Sequence, residues 1–104
     1  MEGRMEPLTG SQRSQLKGLT HDMKPMIQIG RAGATEGLVE ALNKALLDHE
    51  LVKVRFLEHK MEREEISRVM AEKTRSHLVD LIGNVAIFYR ENPDPAKRKT
   101  ILNV

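Results

Sequence analysis

The tetrapeptide Gly30-Arg31-Ala32-Gly33 has residue types and a spacing that suit one kind of chemistry, the binding of phosphate. A glycine has no Cβ, so its backbone can approach a phosphate closely and can adopt a positive φ. Arg31 adds a cation that keeps its charge at any physiological pH. Because Thr35 then begins a helical pattern, the free N–H groups of a helix start would lie beside the loop. The segment therefore predicts a phosphate-binding loop.

Loops with the GxxG pattern ahead of a helix clamp RNA backbones in KH modules, which makes RNA a candidate ligand. An ordinary strand-to-helix turn explains the same four residues, because many turns need glycine. Two other phosphate loops are excluded, since the chain has neither a Gly-Lys-Ser/Thr ending nor a GxGxxG pattern here. From the tetrapeptide alone, both the binding loop and the structural turn stay open.

Catalytic and metal-binding constellations are missing from the sequence. The chain has no cysteine, and its serines lack the context of an activated nucleophile. The histidines do not share a metal-binding spacing on one helix, and they are interpreted as surface or helix-end residues: His21, His49, His59 and His77. Asp48-His49-Glu50 is interpreted as solvated charge at a helix end, because adjacent helical residues point in different directions. We predict no enzyme activity, no metal and no cofactor.

The elements that must position the loop follow from hydrophobic spacing and from capping and turn residues. The predicted order is a helix from Thr9 or Ser11 to about His21, a strand at 26–29, a helix at 35–49, a strand at 51–56, a helix at 62–75, and strands at 78–82 and 85–89. Lys53 and Arg55 alternate with apolar residues and predict a basic outer face of their strand. The third helix should bury Ile66, Val69 and Met70. Helical connections favour parallel strands, and the Gly83-Asn84 turn favours an antiparallel last pair, which predicts a single α/β domain with a mixed four-stranded sheet and three helices.

Length and charge agree with one small domain. The chain has 104 residues, of which 31% are charged, and a formal net charge of +2. Basic residues predominate in residues 11–35 and from position 90 onward, whereas acidic residues predominate in 58–72, so a basic face is possible. Aromatic residues are only 3% of the chain, which argues against a sheet that stacks bases. Without a membrane span or a signal peptide in the sequence, we expect a cytoplasmic location.

Seven short segments, taken in order, are similar to the CRM domain family (CRS1–YhbY), and most similar to its stand-alone bacterial members of the YhbY type. They are Leu16-Lys17-Gly18-Leu19, Lys24-Pro25, Ile29-Gly30-Arg31-Ala32-Gly33, Thr35-Glu36-Gly37, His49-Glu50-Leu51-Val52-Lys53-Val54, Ile82-Gly83 and Tyr89-Arg90. The resemblance covers about residues 8–90. It leaves 1–7 as a flexible leader and 91–104 as a basic tail, a candidate for an extra edge strand.

The resemblance implies a fold similar to the C-terminal domain of translation initiation factor three. It also implies a non-catalytic RNA-binding protein that assists assembly of the large ribosomal subunit, with large-subunit ribosomal RNA or pre-ribosomal particles as partners, and no membrane or small-molecule substrate. The RNA-binding positions it implies are Gly30, Arg31, Ala32 and Gly33, together with Lys17, Lys24, Lys53 and Arg90.

Three positions depart from the family pattern. This chain has Ala34 where a larger apolar residue often follows the loop, and Arg75-Ser76-His77 where a glycine commonly precedes the third strand. Asn84 replaces a lysine that often follows the hairpin glycine, so position 84 is left out of the predicted site. One rival interpretation remains beside RNA binding: a ribosome-associated protein-interaction module in which the glycine loop is purely structural.

Overall fold

The computed structural model describes residues 6–100 and 102. These residues form three α-helices, four β-strands and two short 3₁₀ turns. In chain order they are α1 (Gly10–Leu19), β1 (Ile27–Ile29), α2 (Glu36–His49), β2 (Leu51–Phe56), a 3₁₀ turn (Lys60–Glu62), α3 (Arg63–Thr74), β3 (His77–Ile82), β4 (Val85–Tyr89) and a second 3₁₀ turn (Pro95–Lys97). No helix in this described part is long and apolar enough to cross a membrane.

The four strands form one mixed sheet in the order β1-β2-β4-β3. β1 and β2 are parallel and are joined through α2, whereas β4 is antiparallel to both of its neighbours. The hairpin around Gly83-Asn84 inserts β4 between β2 and β3. The predicted fold class, a single α/β domain with a mixed four-stranded sheet and three helices, is therefore confirmed.

Each face of the sheet buries its own apolar cluster, because side chains along a strand alternate between the two faces. Val52, Val54 and Phe56 point from β2 toward α2 and α3, where they pack with Phe88. Leu51, Ile87 and Tyr89 point to the opposite face, where Leu16 of α1 joins them. Each fully buried side chain of this size contributes on the order of 1.5–3 kcal/mol. The sheet is thus covered by two helices on one side and by α1 on the other.

Threonine caps begin the first two helices at the predicted residues. The Thr9 hydroxyl accepts the Gln12 N–H at 3.1 Å, and the Gln12 side chain accepts the Thr9 N–H at 3.0 Å. The Thr35 hydroxyl accepts the Leu38 N–H at 3.1 Å at the start of α2. Caps of this kind stabilise a helix by about 1 kcal/mol each. Thr35 therefore also fixes where the glycine loop must end.

The predicted buried stripe of α3 is wrong at Val69, whose side chain is exposed. Ile66 is partly buried and Met70 fully buried, as expected, but Ser67 and Ala71 complete the buried face. Residues 67 and 69 are about 200° apart around a helix of 3.6 residues per turn, so burying Ser67 turns Val69 toward solvent. The buried face of α3 thus contains the small residue Ser67 in place of Val69, which the apolar spacing favoured.

Glu50 corrects the interpretation of Asp48-His49-Glu50 as solvated charge, because its side chain is fully buried. One carboxylate oxygen accepts the Asn92 N–H at 2.6 Å. The other accepts the N–H groups of Lys99 at 2.6 Å and Thr100 at 2.7 Å. The basic tail is thereby tied to the C-terminus of α2, and the chain there folds back on the domain.

The proposed ends of the chain lie partly outside the described residues. Of the predicted flexible leader 1–7, residues 1–5 lie outside them, and so do positions 101, 103 and 104 of the tail. Within residues 91–100 and 102, the structure contains one 3₁₀ turn and no strand.

Candidate nucleic-acid interface

The loop from Gly30 to Gly33 leaves β1 and leads into the cap of α2. The Gly33 N–H donates to the Gly30 carbonyl at 3.1 Å, which closes the loop, and the Thr35 N–H donates to the Gly33 carbonyl at 3.0 Å. Arg31 and Ala32, at the tip between the two glycines, are exposed. The tip therefore presents its backbone and one arginine to solvent.

The two glycines of the loop differ in what the protein itself requires of them. Gly33 has a φ of +73°, in the left-handed region where a side chain would be strained. Gly30 has no such φ, and an added Cβ would meet no protein atom within 4 Å. Turn geometry therefore explains the glycine at position 33 but not the glycine at position 30.

The segment that follows β2 holds the loop in place. The N–H groups of Leu57 and Glu58 both donate to the carbonyl of Ile29, at 2.9 and 3.2 Å. The ring atom Nε2 of His59 lies 2.7 Å from the carbonyl oxygen of Arg31. The sequence alone indicates no more for His59 than a surface or helix-end residue. The parallel pairing of β1 with β2 is the signal that could have indicated the contact of His59 with the loop. It brings the residues that follow both strands to the same end of the sheet.

An open groove, which we call the basic groove, lies at the same end of the sheet. Three cationic side chains line it, Lys53, Arg55 and Lys60, with no acidic side chain among the lining residues. Lys53 is half-buried and donates from Nζ to the Met23 carbonyl at 2.9 Å. Arg55 and Lys60 are exposed, and within the described residues neither side chain has a hydrogen-bond or ion-pair partner. The remaining lining residues are Pro25, Phe56, Leu57, Asn84 and Val85.

The other two predicted lysines have different environments. Lys24 is exposed and directly precedes Pro25, a lining residue of the basic groove. Lys17 lies on α1 and forms an ion pair with Asp80 on β3, with Nζ and Oδ2 2.9 Å apart. The hydrogen bond from Lys17 lowers the pKa of Asp80 below its ordinary value. The Lys17 side chain thus has a partner in the protein. Within the described residues, the Lys24 side chain has none.

Arg90 is separated from the loop by the length of β2. It follows Tyr89, which pairs with the first residue of β2, while the loop lies beyond the last. Six residues of strand place these ends about 17 Å apart. The Arg90 guanidinium donates to the Thr74 carbonyl at 2.7 Å and to the Asn43 carbonyl at 3.0 Å. Partial burial lowers the pKa of Arg90, which still remains charged at neutral pH.

The structure thus brings together only part of the predicted site. The four loop residues lie where β1 and β2 finish, next to the basic groove, which contains Lys53 and two cations that were not among the predicted site residues, Arg55 and Lys60. Lys24 precedes β1, at the end of that strand away from the loop, and adjoins the groove through Pro25. Arg90 lies apart from these residues, bound to Thr74 and Asn43. Lys17 lines a neighbouring cavity together with Lys53, but it is paired with Asp80. Among the described residues, no group of three His, Asp or Glu side chains could hold a metal ion.

The fold and the loop together define a small α/β domain in which a GxxG loop joins a strand to a helix beside a basic groove. Residues 8–90 match the profile of the CRS1/YhbY (CRM) domain, and the chain belongs to that family. The boundaries of the match are those that the sequence resemblance predicted.

Relatives of known sequence and structure agree with this assignment. A protein of Pseudomonas aeruginosa named a probable RNA-binding protein is 40% identical over 91 residues, which are 86% of this chain and 88% of that protein. The probable RNA-binding protein YqeI of Bacillus subtilis is 30% identical over 88 residues, 84% of this chain and 92% of its own. A solution structure from Staphylococcus aureus, of a hypothetical protein for which RNA binding has been suggested, superposes with a TM-score of 0.76. Its sequence is 33% identical, and the match covers 93% of this chain and all of that one.

Proposed function

We propose that this protein is a non-catalytic RNA-binding protein whose interface is the Gly30–Gly33 loop and the basic groove beside it. The observation that carries the proposal is the glycine at position 30. The protein has neither a positive φ nor a close neighbour there that requires glycine, so the missing side chain leaves space for an external group. Three cations in the adjoining groove make a phosphate the group that fits.

In this proposal the loop binds the RNA backbone and does not read bases. The backbone N–H groups at the tip and the Arg31 guanidinium contact phosphate oxygens, and Arg55 and Lys60 extend the contact along the groove. The first turn of α2 carries its own acid, Glu36, so the helix dipole is already complemented. Affinity therefore comes from loop amides and side-chain cations, and recognition depends on the shape of the RNA.

The resemblance to stand-alone bacterial family members extends the proposal to a partner and a place. We propose large-subunit ribosomal RNA, free or in pre-ribosomal particles, as the ligand, and assembly of the large subunit in the cytoplasm as the process. The names of the relatives support RNA binding in general. Lys17 and Arg90 stay predictions of the resemblance: Arg90 lies at a distance from the proposed interface, and Lys17, in a cavity next to Lys53, is paired with Asp80.

A second candidate function is a protein-interaction module with a structural loop. Exposed apolar residues next to the loop favour it: Met61 is 93% exposed and Leu57 45%. In that case the protein would reach the ribosome through protein contacts, and protein-free RNA would not bind.

The test is fluorescence-anisotropy titration of in vitro transcribed fragments of large-subunit RNA over a salt series, with an unrelated structured RNA, transfer RNA, in parallel. Gly30→Asp adds a negative charge at the proposed phosphate position, and Gly30→Asn adds a side chain of the same shape without charge. Neither substitution needs a strained φ, and the Cβ of either would meet no protein atom within 4 Å. A substitution at Gly33 would confound folding with binding, because of its positive φ.

We expect the affinity of wild type for RNA to fall as the salt concentration rises. In a plot of log affinity against log salt concentration, each phosphate contact contributes about 0.7–0.9 to the slope, and we expect roughly three to five contacts. Gly30→Asp should bind at least about tenfold more weakly than Gly30→Asn, a difference of about 1.4 kcal/mol. Equal affinity of the two folded variants would remove the loop from the interface. No binding of wild type to either RNA would leave the protein-interaction module. Equal binding of both RNAs would leave RNA binding intact and remove the preference for ribosomal RNA.

A further inference from the structure

We infer that His59 is a positioning residue, which turns the backbone N–H of Ala32 outward so that it can donate to an RNA phosphate. The inference deepens the proposed function and rests on it. It assigns a role to a histidine outside the GxxG sequence, and it identifies which amide of the loop tip is the donor.

The hydrogen bond between His59 and the loop has only one possible direction. Nε2 of His59 lies 2.7 Å from the carbonyl oxygen of Arg31. A carbonyl oxygen can only accept, so Nε2 carries the hydrogen and donates it. In the neutral ring the other nitrogen, Nδ1, is then the acceptor. His59 therefore holds the Arg31 carbonyl without needing a positive charge.

Holding this carbonyl fixes the direction of the next amide. The peptide bond between Arg31 and Ala32 is planar and trans, since the described residues contain no cis peptide. In a trans peptide the C=O and N–H bonds point in opposite directions. With its carbonyl directed at His59, this peptide directs the Ala32 N–H away from His59. Within the described residues that N–H has no acceptor.

The backbone around His59 brings its ring under the loop. His59 has a left-handed conformation with φ 58° and ψ 35°, directly after two N–H groups that bond to Ile29. Its ring also lies against Gly33, where an added Cβ would be 3.6 Å from Nε2. The residue itself is exposed, so a substitution removes the contact with the loop and leaves the apolar clusters intact.

Two substitutions separate the positioning role from charge and from backbone strain. His59→Gln places an amide N–H₂ at the same number of bonds from Cα as Nε2. His59→Asn is one bond shorter and cannot reach the Arg31 carbonyl from the same backbone, although asparagine tolerates the left-handed conformation well. Both side chains are neutral and polar. Rescue by the longer amide is a readout that a general structural role would not produce.

The experiment measures binding at pH 7.5 of the same large-subunit RNA fragments and transfer RNA, with Gly30→Asp included. We expect His59→Gln to bind like wild type and His59→Asn to bind about three- to tenfold more weakly, the loss of about one well-placed hydrogen bond. The salt slopes should be equal, because in this role the side chain at position 59 contacts the Arg31 carbonyl and not a phosphate. In ¹H–¹⁵N spectra of wild type, addition of RNA should shift the Ala32 amide strongly.

Several results would overturn the inference and leave the proposed function standing. One is wild-type affinity of folded His59→Asn while Gly30→Asp binds weakly. Another is weak binding of both His59 variants with a salt slope lower by about one contact, which would make His59 a phosphate-binding cation. An Ala32 amide that does not move on RNA binding overturns it without any substitution. If wild type binds neither RNA, the proposed function and the inference fall together.

Discussion

The two ends of the sheet use similar polar groups in opposite ways. At one end, which we call the loop end, β1 and β2 finish and the Gly30–Gly33 loop and basic groove follow. At the other, the tail end, β2 begins, β4 finishes, and Glu50, Arg90 and residues 91–100 meet. Glu50 accepts three backbone N–H groups there, and Arg90 donates to two backbone carbonyls. At the loop end, the side chains of Arg55 and Lys60 have no hydrogen-bond or ion-pair partner within the described residues.

Charge alone therefore does not locate a binding surface in this protein. Buried polar groups cost free energy unless they are paired, so the groups of the tail end are committed to stability. Exposed cations and amides without a protein partner cost little, and they are available to a ligand. The sequence resemblance implies basic RNA-binding positions at both ends of the sheet. The hydrogen bonds distinguish basic side chains that are bound to the protein from those that are available to a ligand.

The largest effect should come from the tail end, through Glu50→Gln. The new amide group would place a donor against backbone N–H groups that need an acceptor, in a fully buried position. We expect the free energy of unfolding to fall by about 2–3 kcal/mol, as for other hydrogen bonds to buried charged groups. Urea unfolding measures it. Glu72→Gln, an exposed residue on α3, is the matched control and should change stability little.

The same variant tests whether the two ends are independent. At a temperature where Glu50→Gln remains folded, its affinity for RNA should equal that of wild type. A loss of affinity beyond the unfolded fraction would mean that the tail end belongs to the interface.

A smaller effect should distinguish the two arginines, Arg55 and Arg90, each replaced by alanine. Arg90→Ala should lower the free energy of unfolding by about 1.5–3 kcal/mol, because it removes hydrogen bonds from a charged group to Thr74 and Asn43. Arg55→Ala should leave stability within about 0.5 kcal/mol. It should reduce the salt slope of RNA binding by about 0.7–0.9.

Urea unfolding and the salt series, run on both arginine variants, give four numbers that the comparison predicts. A reduced salt slope for Arg90→Ala would show that Arg90 contacts phosphate, as the resemblance implied. An unchanged slope for Arg55→Ala would move the RNA path away from the basic groove.

The smallest effect should be that of Lys17→Met, which removes the ion pair with Asp80. The pKa of Asp80 is lowered in the folded protein, mainly by the hydrogen bond from Lys17. Its contribution is therefore present above the unfolded pKa near 3.8 and is lost as the pH falls through the lower folded value. Both side chains are partly exposed, so the stability difference at pH 7 should stay below about 1 kcal/mol. Unfolding at pH 7 and at successively lower pH checks it, and a difference that does not diminish as the pH falls below 3.8 would contradict the ion-pair origin.

Local sequence signals predicted most of the fold. β2 has the predicted bounds, Leu51–Phe56, because its alternation of apolar and basic residues is regular. Thr35 caps α2 where predicted, and the glycine turn joins β3 to β4. Each of these signals lies within a few residues of the structure that it specifies.

The features that sequence analysis missed depend on contacts between distant parts of the chain. His59 binds a residue 28 positions away, and Glu50 binds amides 42 to 50 positions away. No periodicity encodes such pairs, so a histidine near a strand end and a glutamate at a helix end were interpreted by type alone. The loop was recognisable from its glycines, but the groups that hold it were not.

The position of β4 in the sheet has a consequence for the folding of the protein during its synthesis. β4 is the last strand among the described residues, yet it lies between β2 and β3 and pairs with both. In a nascent chain that has emerged only as far as β3, one edge of β2 and one edge of β3 are unpaired, because both pair with β4 in the folded protein. Because β4 supplies the pairing that joins β2 to β3, the sheet closes only after residues 85–89 have left the ribosome. This domain therefore cannot acquire its native strand order before β4 has been synthesised.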